Sequence, residues 1–426
     1  MRIKILSLLL LGFTLSWAQN KVVYQITING VINPAAREFI VESIDQAEED
    51  GAELVVIELD TPGGLMGSMH DIVKRILSAD VPVAVYVYPS GSRAGSAGVF
   101  ITMAAHIAAM APGTNIGSAH PVDISGGSDS SRVMTEKIVN DAVASIKTVA
   151  EKRGRNVTWV EKAVRESANI TETEALQQKV IDYVVPTLDS LLVVVDGKEV
   201  EVLSGKKVLH TKGAQIEKLT MSWRQRVLDI LSDPNIAYIL MLIGIYGIFF
   251  ELYNPGSVLP GVLGGICLIL ALYSFQTLPV NYAGALLILF SIVLFILEIK
   301  IASYGILTIG GIISLVIGSL MLIETDIPFL QISWKVIAGA AITTTLFFVF
   351  ALGLVFKAMR KKPSTGREGL VGEEGVALTA VDHSGSVEVH GEIWNARSDV
   401  HIEKGQRVMV EQLDQHHLRI KVKPLQ

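Results

Sequence analysis

The chain has 426 residues, half of them hydrophobic and only 18% charged, with a net charge of −6. That length favours several domains, and a mean hydropathy of +0.46 is too high for an ordinary soluble chain. The acidic balance leaves nucleic-acid binding without electrostatic support. The single cysteine, Cys267, lies in an apolar run, so no intrachain disulfide, cysteine-based zinc site or paired thiol nucleophile is expected.

The first 18 residues read as a secretory signal peptide. Arg2 and Lys4 precede an apolar stretch, 5–15, and Ser16-Trp17-Ala18 ends in a small residue suited to cleavage. The alternative is a retained anchor; either way, the chain beyond it is exported. From there to about residue 190, strand-like and helix-like patterns alternate. Residues 22–28 are β-like, and Asn33-Pro34 opens a helix to about 49 with an N-cap and an N1 proline. Residues 54–59 are continuously apolar, as in a strand buried on both faces. A helix over 66–77, a strand over 81–88, a helix over 96–106 and a short strand over 107–110 come next. The Gly/Ser/Pro-rich loop 111–129 leads to a long helix, 132–153, and then to helices over 160–166 and 171–178. The last of these opens on a Thr-x-x-Glu capping box. Residues 180–185 are β-like. Alternation of this kind predicts an α/β domain over 19–190.

Residues 191–235 read as an appendage and linker. Asp196-Gly197 is placed at the turn of a hairpin over 191–203. Residues 218–231 mix Trp223, Val227 and Leu231 with Arg224 and Arg226, suiting an interfacial helix. Five apolar segments fill 236–357, at about 236–252, 256–277, 283–299, 304–323 and 335–356. Each is near the length that crosses ~30 Å of hydrocarbon. Lys300, Lys357, Arg360, Lys361 and Lys362 fall on one side of such a bundle, Glu324 and Asp326 on the other. With the α/β domain exported, the positive-inside rule puts the tail in the cytoplasm; Arg224 and Arg226 run against it. The tail, 366–426, holds five short strands, at 376–381, 386–389, 392–395, 405–411 and 418–422. That count suits a small barrel of the OB type.

Two strings carry chemistry: Asp60-Thr61-Pro62-Gly63-Gly64 and Ala94-Gly95-Ser96-Ala97-Gly98. Serine needs a base to become a nucleophile. Ser96 stands between small residues where a helix begins, so a substrate backbone can approach, and the helix N-terminus offers free N–H groups. The amide of Ala97, with one from Gly63 or Gly64, could form an oxyanion hole. Lys137, 41 residues beyond Ser96 and beside an apolar stripe, is the candidate base, provided that desolvation lowers its pKa. His120, with Asp60 or Asp123, is the rival. No phosphate loop or clustered metal site is visible, and no cofactor is expected.

The chain resembles the long-form NfeD family, described as membrane-bound serine proteases of the ClpP class. The likeness runs through Glu58-Leu59-Asp60-Thr61-Pro62-Gly63-Gly64, the string around Ser96, Met110-Ala111-Pro112-Gly113-Thr114-Asn115-Ile116-Gly117 and Arg153-Gly154-Arg155-Asn156. It continues through Ala163-Val164-Arg165-Glu166-Ser167, Gly391-Glu392-Ile393-Trp394-Asn395-Ala396 and Ile402-Glu403-Lys404-Gly405. The resemblance implies a ClpP/crotonase-like spiral domain, a transmembrane bundle and an OB-type barrel. It further implies a Ser-Lys dyad on Ser96 and Lys137, and an oxyanion hole from Gly63 or Gly64 and Ala97. The implied substrate is an apolar segment of a stomatin/flotillin-type membrane protein, and the resemblance alone implies a homodimer or larger ring. Two other functions fit parts of the chain: a non-catalytic scaffold for such a partner, and a crotonase-type acyl-CoA enzyme. The Ser/Gly-rich insert 125–131 could act as a lid.

Overall fold

The computed structural model describes residues 21–122, 130–253, 255–276, 278–301, 303–325, 330–359, 370–414 and 419–425. The signal segment 1–18, most of the insert 125–131, Asp123, Asp326 and the basic residues 360–362 lie outside them. Contacts divide the chain into two units, Met1–Val293 with Ile313–Gly339, and Leu294–Ile312 with Ala340–Gln426.

The first unit is built on a six-stranded parallel sheet. Its strands are β1 (Val22–Asn29), β2 (Leu54–Asp60), β3 (Val83–Val87), β5 (Ile107–Met110), β8 (Tyr183–Val184) and β11 (Gln215–Lys218). Their spatial order is β11-β1-β2-β3-β5-β8. Val55, Ile57 and Leu59 of β2 face one apolar cluster, while Leu54 and Val56 face another. Burial on both faces is why this strand reads as an unbroken apolar run. Helices α1 (Pro34–Glu49), α2 (Met66–Leu77), α3 (Ala97–Ala104), α4 (Ser130–Lys152) and α5 (Val157–Arg165) cover the first face. Asn33 caps α1, its Oδ1 accepting from Ala36 N–H at 2.8 Å.

The second face is closed by residues where a hairpin is expected. Residues Leu188–Val194 form a helix, α7, capped by Thr187. Asp196-Gly197 lies just past its end, with Gly197 at φ +75°. A Gly that can take positive φ ends a helix as readily as it turns a hairpin, and here Leu191, Leu192 and Val195 bury against the sheet. The hairpin begins later, as β9 (Glu199–Val202) and β10 (Gly205–Val208). Strand β11, inside the expected linker, pairs in parallel with β1. The helix α6 (Glu172–Gln177) has the expected capping box, Thr171 with Glu174.

A second, three-stranded sheet carries β4 (Arg93–Gly95), β6 (Asn115–Gly117) and β7 (Asn169–Thr171), in the order β4-β6-β7. Beyond α8 (Trp223–Leu231) come the apolar helices α9 (Pro234–Tyr253), α10 (Leu259–Phe275), α11 (Tyr282–Lys300), α12 (Ile306–Leu322) and α13 (Trp334–Met359). Among the described residues, α9 is long and apolar enough to cross a bilayer, while α10 and α12 have 17 residues each, about 26 Å at ~1.5 Å per residue. Large apolar side chains point outward, Ile269 at 68% and Leu286 at 65% exposure. Some glycines face a neighbouring helix: a Cβ on Gly264 of α10 would lie 2.8 Å from Ile248 N of α9. Exposed apolar side chains, with glycines where helices approach closely, suit a lipid surrounding.

In the second unit, β12 (Glu374–Ala377), β13 (Gly385–Val389), β14 (Glu392–Arg397), β15 (Arg407–Asp414) and β16 (Arg419–Pro424) close a five-stranded barrel, ordered β12-β13-β14-β16-β15. Val387, Val389, Ala396, Val408, Ile420 and Val422 fill it.

Candidate active site

The strand that feeds Ser96 is β4, not the expected run over 81–88, which ends as β3 at Val87. Three residues suffice because β4 is clamped between neighbours. Thr61 N–H donates to Arg93 O at 2.8 Å, Gly95 N–H to Thr61 O at 2.9 Å, and Ser96 N–H to Gly117 O at 3.2 Å. Asp60 Oδ1 accepts from Arg93 N–H at 3.0 Å. Ser96 then stands at φ 48°, ψ −109°, a region a residue with a Cβ rarely takes, at roughly 1–3 kcal/mol of strain. The strain turns the chain from strand to helix at one residue and leaves the serine partly exposed, the geometry of a nucleophile elbow. Among the described residues, its Oγ makes no hydrogen bond.

Gly63 is brought against Ser96, and Gly64, the next residue, against Ile32. A Cβ on Gly63, at φ +131°, would sit 2.6 Å from Ser96 Cβ, and one on Gly64 would sit 2.3 Å from Ile32 O. Their N–H groups differ. Gly63 N–H donates to Thr61 Oγ1 at 3.0 Å, and the same hydroxyl donates to Gly63 O at 3.0 Å. The amides of Gly64 and Ala97 have no partner among the described residues. Of the two glycines, Gly64 therefore has the free donor, and Gly63 supplies close approach. Thr61, fully buried, sets this division; nothing in the sequence pattern singled it out.

Lys137 is not joined to the serine. It lies on α4, which packs on α3, but it is exposed and makes no hydrogen bond to Ser96 Oγ. His120 is engaged elsewhere, with Nδ1 2.8 Å from Val164 O as donor, and Asp60 is held by Arg93 N–H, so no described Ser-His-Asp set forms.

The other end of α3 is fixed by arginines. Arg155 Nη1 donates to Thr102 O (3.1 Å), Met103 O (2.7 Å) and Ala105 O (2.9 Å), and its Nη2 to Asp182 at 2.8 Å. Arg153 Nε donates to Ala104 O at 2.8 Å. Nearby His106 accepts from Val83 N–H at Nδ1 (3.1 Å); burial, then the charges of Arg153, Arg155 and Lys152, lower its pKa to about 3. Beside the elbow opens a groove of about 460 Å³, with Pro62, Arg93, Asn115, Asn169 and Glu174 in its walls. The Thr171 N–H and hydroxyl hold the Glu174 carboxyl below the usual range.

Family models match almost the whole chain: the NfeD1b N-terminal domain over 22–214, the NfeD integral membrane domain over 235–354, and the NfeD-like C-terminal, partner-binding domain over 367–424. The membrane-bound protease PH1510 of Pyrococcus horikoshii is 35% identical over 97% of this chain and 96% of its own length. The chain belongs to the long-form NfeD family. Membrane protein NfeD1b of Bacillus subtilis is 27% identical over 88% of this chain and 86% of its own. The solved 1510-N membrane protease specific for a stomatin homolog from Pyrococcus horikoshii aligns with 50% of this chain and 99% of its own, at 32% identity and TM-score 0.44. A lysine-to-alanine mutant of that stomatin-specific protease with a substrate peptide aligns at 32% identity and TM-score 0.46, over 50% of this chain and 98% of its own.

Proposed function

We propose that this chain is a membrane-anchored serine endopeptidase that cuts an apolar segment of a stomatin/flotillin-type membrane protein. The observation that carries it is the strained Ser96 elbow flanked by two free amides, Gly64 and Ala97. Ser96 Oγ attacks the scissile carbonyl and its proton passes to the Nζ of Lys137. The carbonyl oxygen becomes an oxyanion between the Gly64 and Ala97 N–H groups, each worth about 3 kcal/mol in the transition state. Lys137 then returns the proton to the leaving amine, and water hydrolyses the acyl-enzyme. Lys137 reaches Ser96 only in the peptide-bound state, in keeping with catalytic hydrogen bonds that tighten on substrate binding. The name of the 35% identical relative, a membrane-bound protease, supports the activity. The match of 367–424 to a partner-binding domain supports a protein partner.

In this reading the five apolar helices span the membrane, the α/β domain is exported behind a cleaved signal peptide at 1–18, and the OB-type barrel is cytoplasmic. The domains are then 19–190 for the peptidase, 191–235 for the appendage and linker, 236–357 for the membrane region and 366–426 for the barrel, and a homo-oligomer is compatible with it. The exposure of Lys137 favours one other reading, a scaffold that binds the partner without cutting it. The full chain in lipid nanodiscs, incubated with apolar peptides and read by mass spectrometry beside Ser96→Ala and Lys137→Ala, separates the two. Cleavage lost in both variants supports the dyad; partner binding without cleavage supports the scaffold.

A further inference from the structure

The two faces of α8 have different neighbours. One face is bolted to the α/β domain. Gln225, 3% exposed, donates to Glu42 of α1 at 2.7 Å, and Asp229 accepts from Asn33 Nδ2 at 2.7 Å. Leu231 is buried, and Arg224 pairs with Glu38 at 2.8 Å. The other face presents Trp223, Val227 and Ile230, which are 80%, 45% and 51% exposed. Spacings of four and three place them on a single helical stripe. Arg226 is exposed beside them. Two residues after α8 ends, α9 begins, the helix long enough to cross a bilayer. An aromatic at the head of an apolar stripe, flanked by arginine and running straight into a membrane helix, is the composition of a helix lying in the lipid interface.

We infer that α8 lies flat in the bilayer surface and serves as the plate that fixes the α/β domain to the lipid. Trp223, Val227 and Ile230 enter the boundary between headgroups and acyl chains, and Arg226 meets lipid phosphates. This also accounts for arginines on the exported side, against the positive-inside pattern. The plate reaches the active site through one residue. Asn33 holds Asp229 with its Nδ2 and caps α1 with its Oδ1. The preceding Ile32 donates its N–H to Gly63 O at 2.9 Å and accepts from Leu65 N–H at 2.9 Å. The loop bearing Gly63 and Gly64 therefore hangs from Ile32, the chain neighbour of Asn33, which α8 secures. Only the meaning of that loop for catalysis rests on the peptidase reading.

The test uses the full chain in nanodiscs of phosphatidylcholine and phosphatidylglycerol. The lipids are brominated either near the headgroup end of the acyl chain or near its terminal methyl. Tryptophan emission of the wild type is compared with that of Trp223→Phe. Shallow bromines are expected to quench a share of emission that Trp223→Phe removes, with deep bromines quenching that share about half as well or less. Quenching of that share by aqueous iodide and not by bromolipid overturns the inference; so does quenching by neither, which means a protein covers α8. The link to the loop is read by amide hydrogen exchange over 62–66. Asp229→Ala is expected to speed it about threefold or more, and Asp229→Asn, which keeps an acceptor oxygen, to leave it near wild type. Unchanged exchange in Asp229→Ala overturns the link. Neither readout requires hydrolysis, so a failure of the peptidase reading leaves both outcomes interpretable.

Discussion

The two ends of α3 are finished in opposite ways. At the C-terminal end, four backbone carbonyls accept from Arg153 and Arg155, so the last turn is satisfied inside the core. At the N-terminal end, Ser96 holds a strained conformation and the amide of Ala97 has no partner among the described residues. Helix termini normally find caps, and the capped ends of α1 and α6 show that this chain can supply them. An end left open, beside a partly exposed hydroxyl, offers donors to developing negative charge in the proposed reaction. The capped end anchors the helix; the open end is the one the proposed chemistry uses.

Ser96→Ala is the sharpest way to break that contrast. It removes the hydroxyl and leaves the donors, so hydrolysis is expected to fall at least about a thousandfold, with thermal unfolding little changed. Retained cleavage would mean that the open end is not where chemistry occurs. Arg155→Met attacks the other end. It strands three carbonyls and breaks the ion pair with Asp182, and is expected to remove about 3 kcal/mol, seen as a lower Tm and a lower denaturant midpoint. Gly63→Ala tests the close approach at the elbow. A methyl 2.6 Å from Ser96 Cβ at a φ of +131° should lower kcat about a hundredfold. Gly51→Ala, also at positive φ but with nothing within 4 Å, should leave hydrolysis near wild type while shifting stability slightly.

His106 sharpens the comparison by pH. Its folded pKa, about 3, lies below the unfolded value of about 6.5. The unfolded state therefore binds the extra proton between these values. Stability contributed by neutral His106 is full above pH ~6.5 and is lost as pH falls toward 3, by up to about 1.4 kcal/mol per pH unit. His106→Asn should flatten that slope in acid-unfolding curves. A smaller effect than that of Gly63→Ala is expected from Thr61→Val, which frees the Gly63 amide and deletes two hydrogen bonds. A loss of about 1–2 kcal/mol in stability, with kcat changed less than in Gly63→Ala, would place Thr61 as a positioning residue.

Much of this architecture is legible in the sequence because it is local. The both-face burial of β2, the Asn33 cap, the Thr171–Glu174 box and the apolar helices each arise from patterns within a few turns of chain. The string around Ser96 marked the elbow, and the small residues marked the close approach. The partners distant in sequence escaped. Strand β4 is three residues long and exists because Thr61 and Gly117 clamp it. Strand β11 pairs with β1 from nearly two hundred residues away, which no periodicity records. Asp196-Gly197 suits a hairpin turn and a helix end alike, and only the uncovered face of the sheet chose the helix.

The sequence alone determined where a serine elbow stands, where the apolar helices run and that a β-rich tail lies beyond them. Those features depend on side-chain type and on spacing within one element. Only the tertiary structure decided which of two adjacent amides is free, that Gly64 and not Gly63 keeps its donor, and that Lys137 stands apart from Ser96 in this state. The reason is geometric: a hydrogen bond is made or missed over a few tenths of an ångström, and those tenths are set by the packing of elements that meet only when the chain is folded.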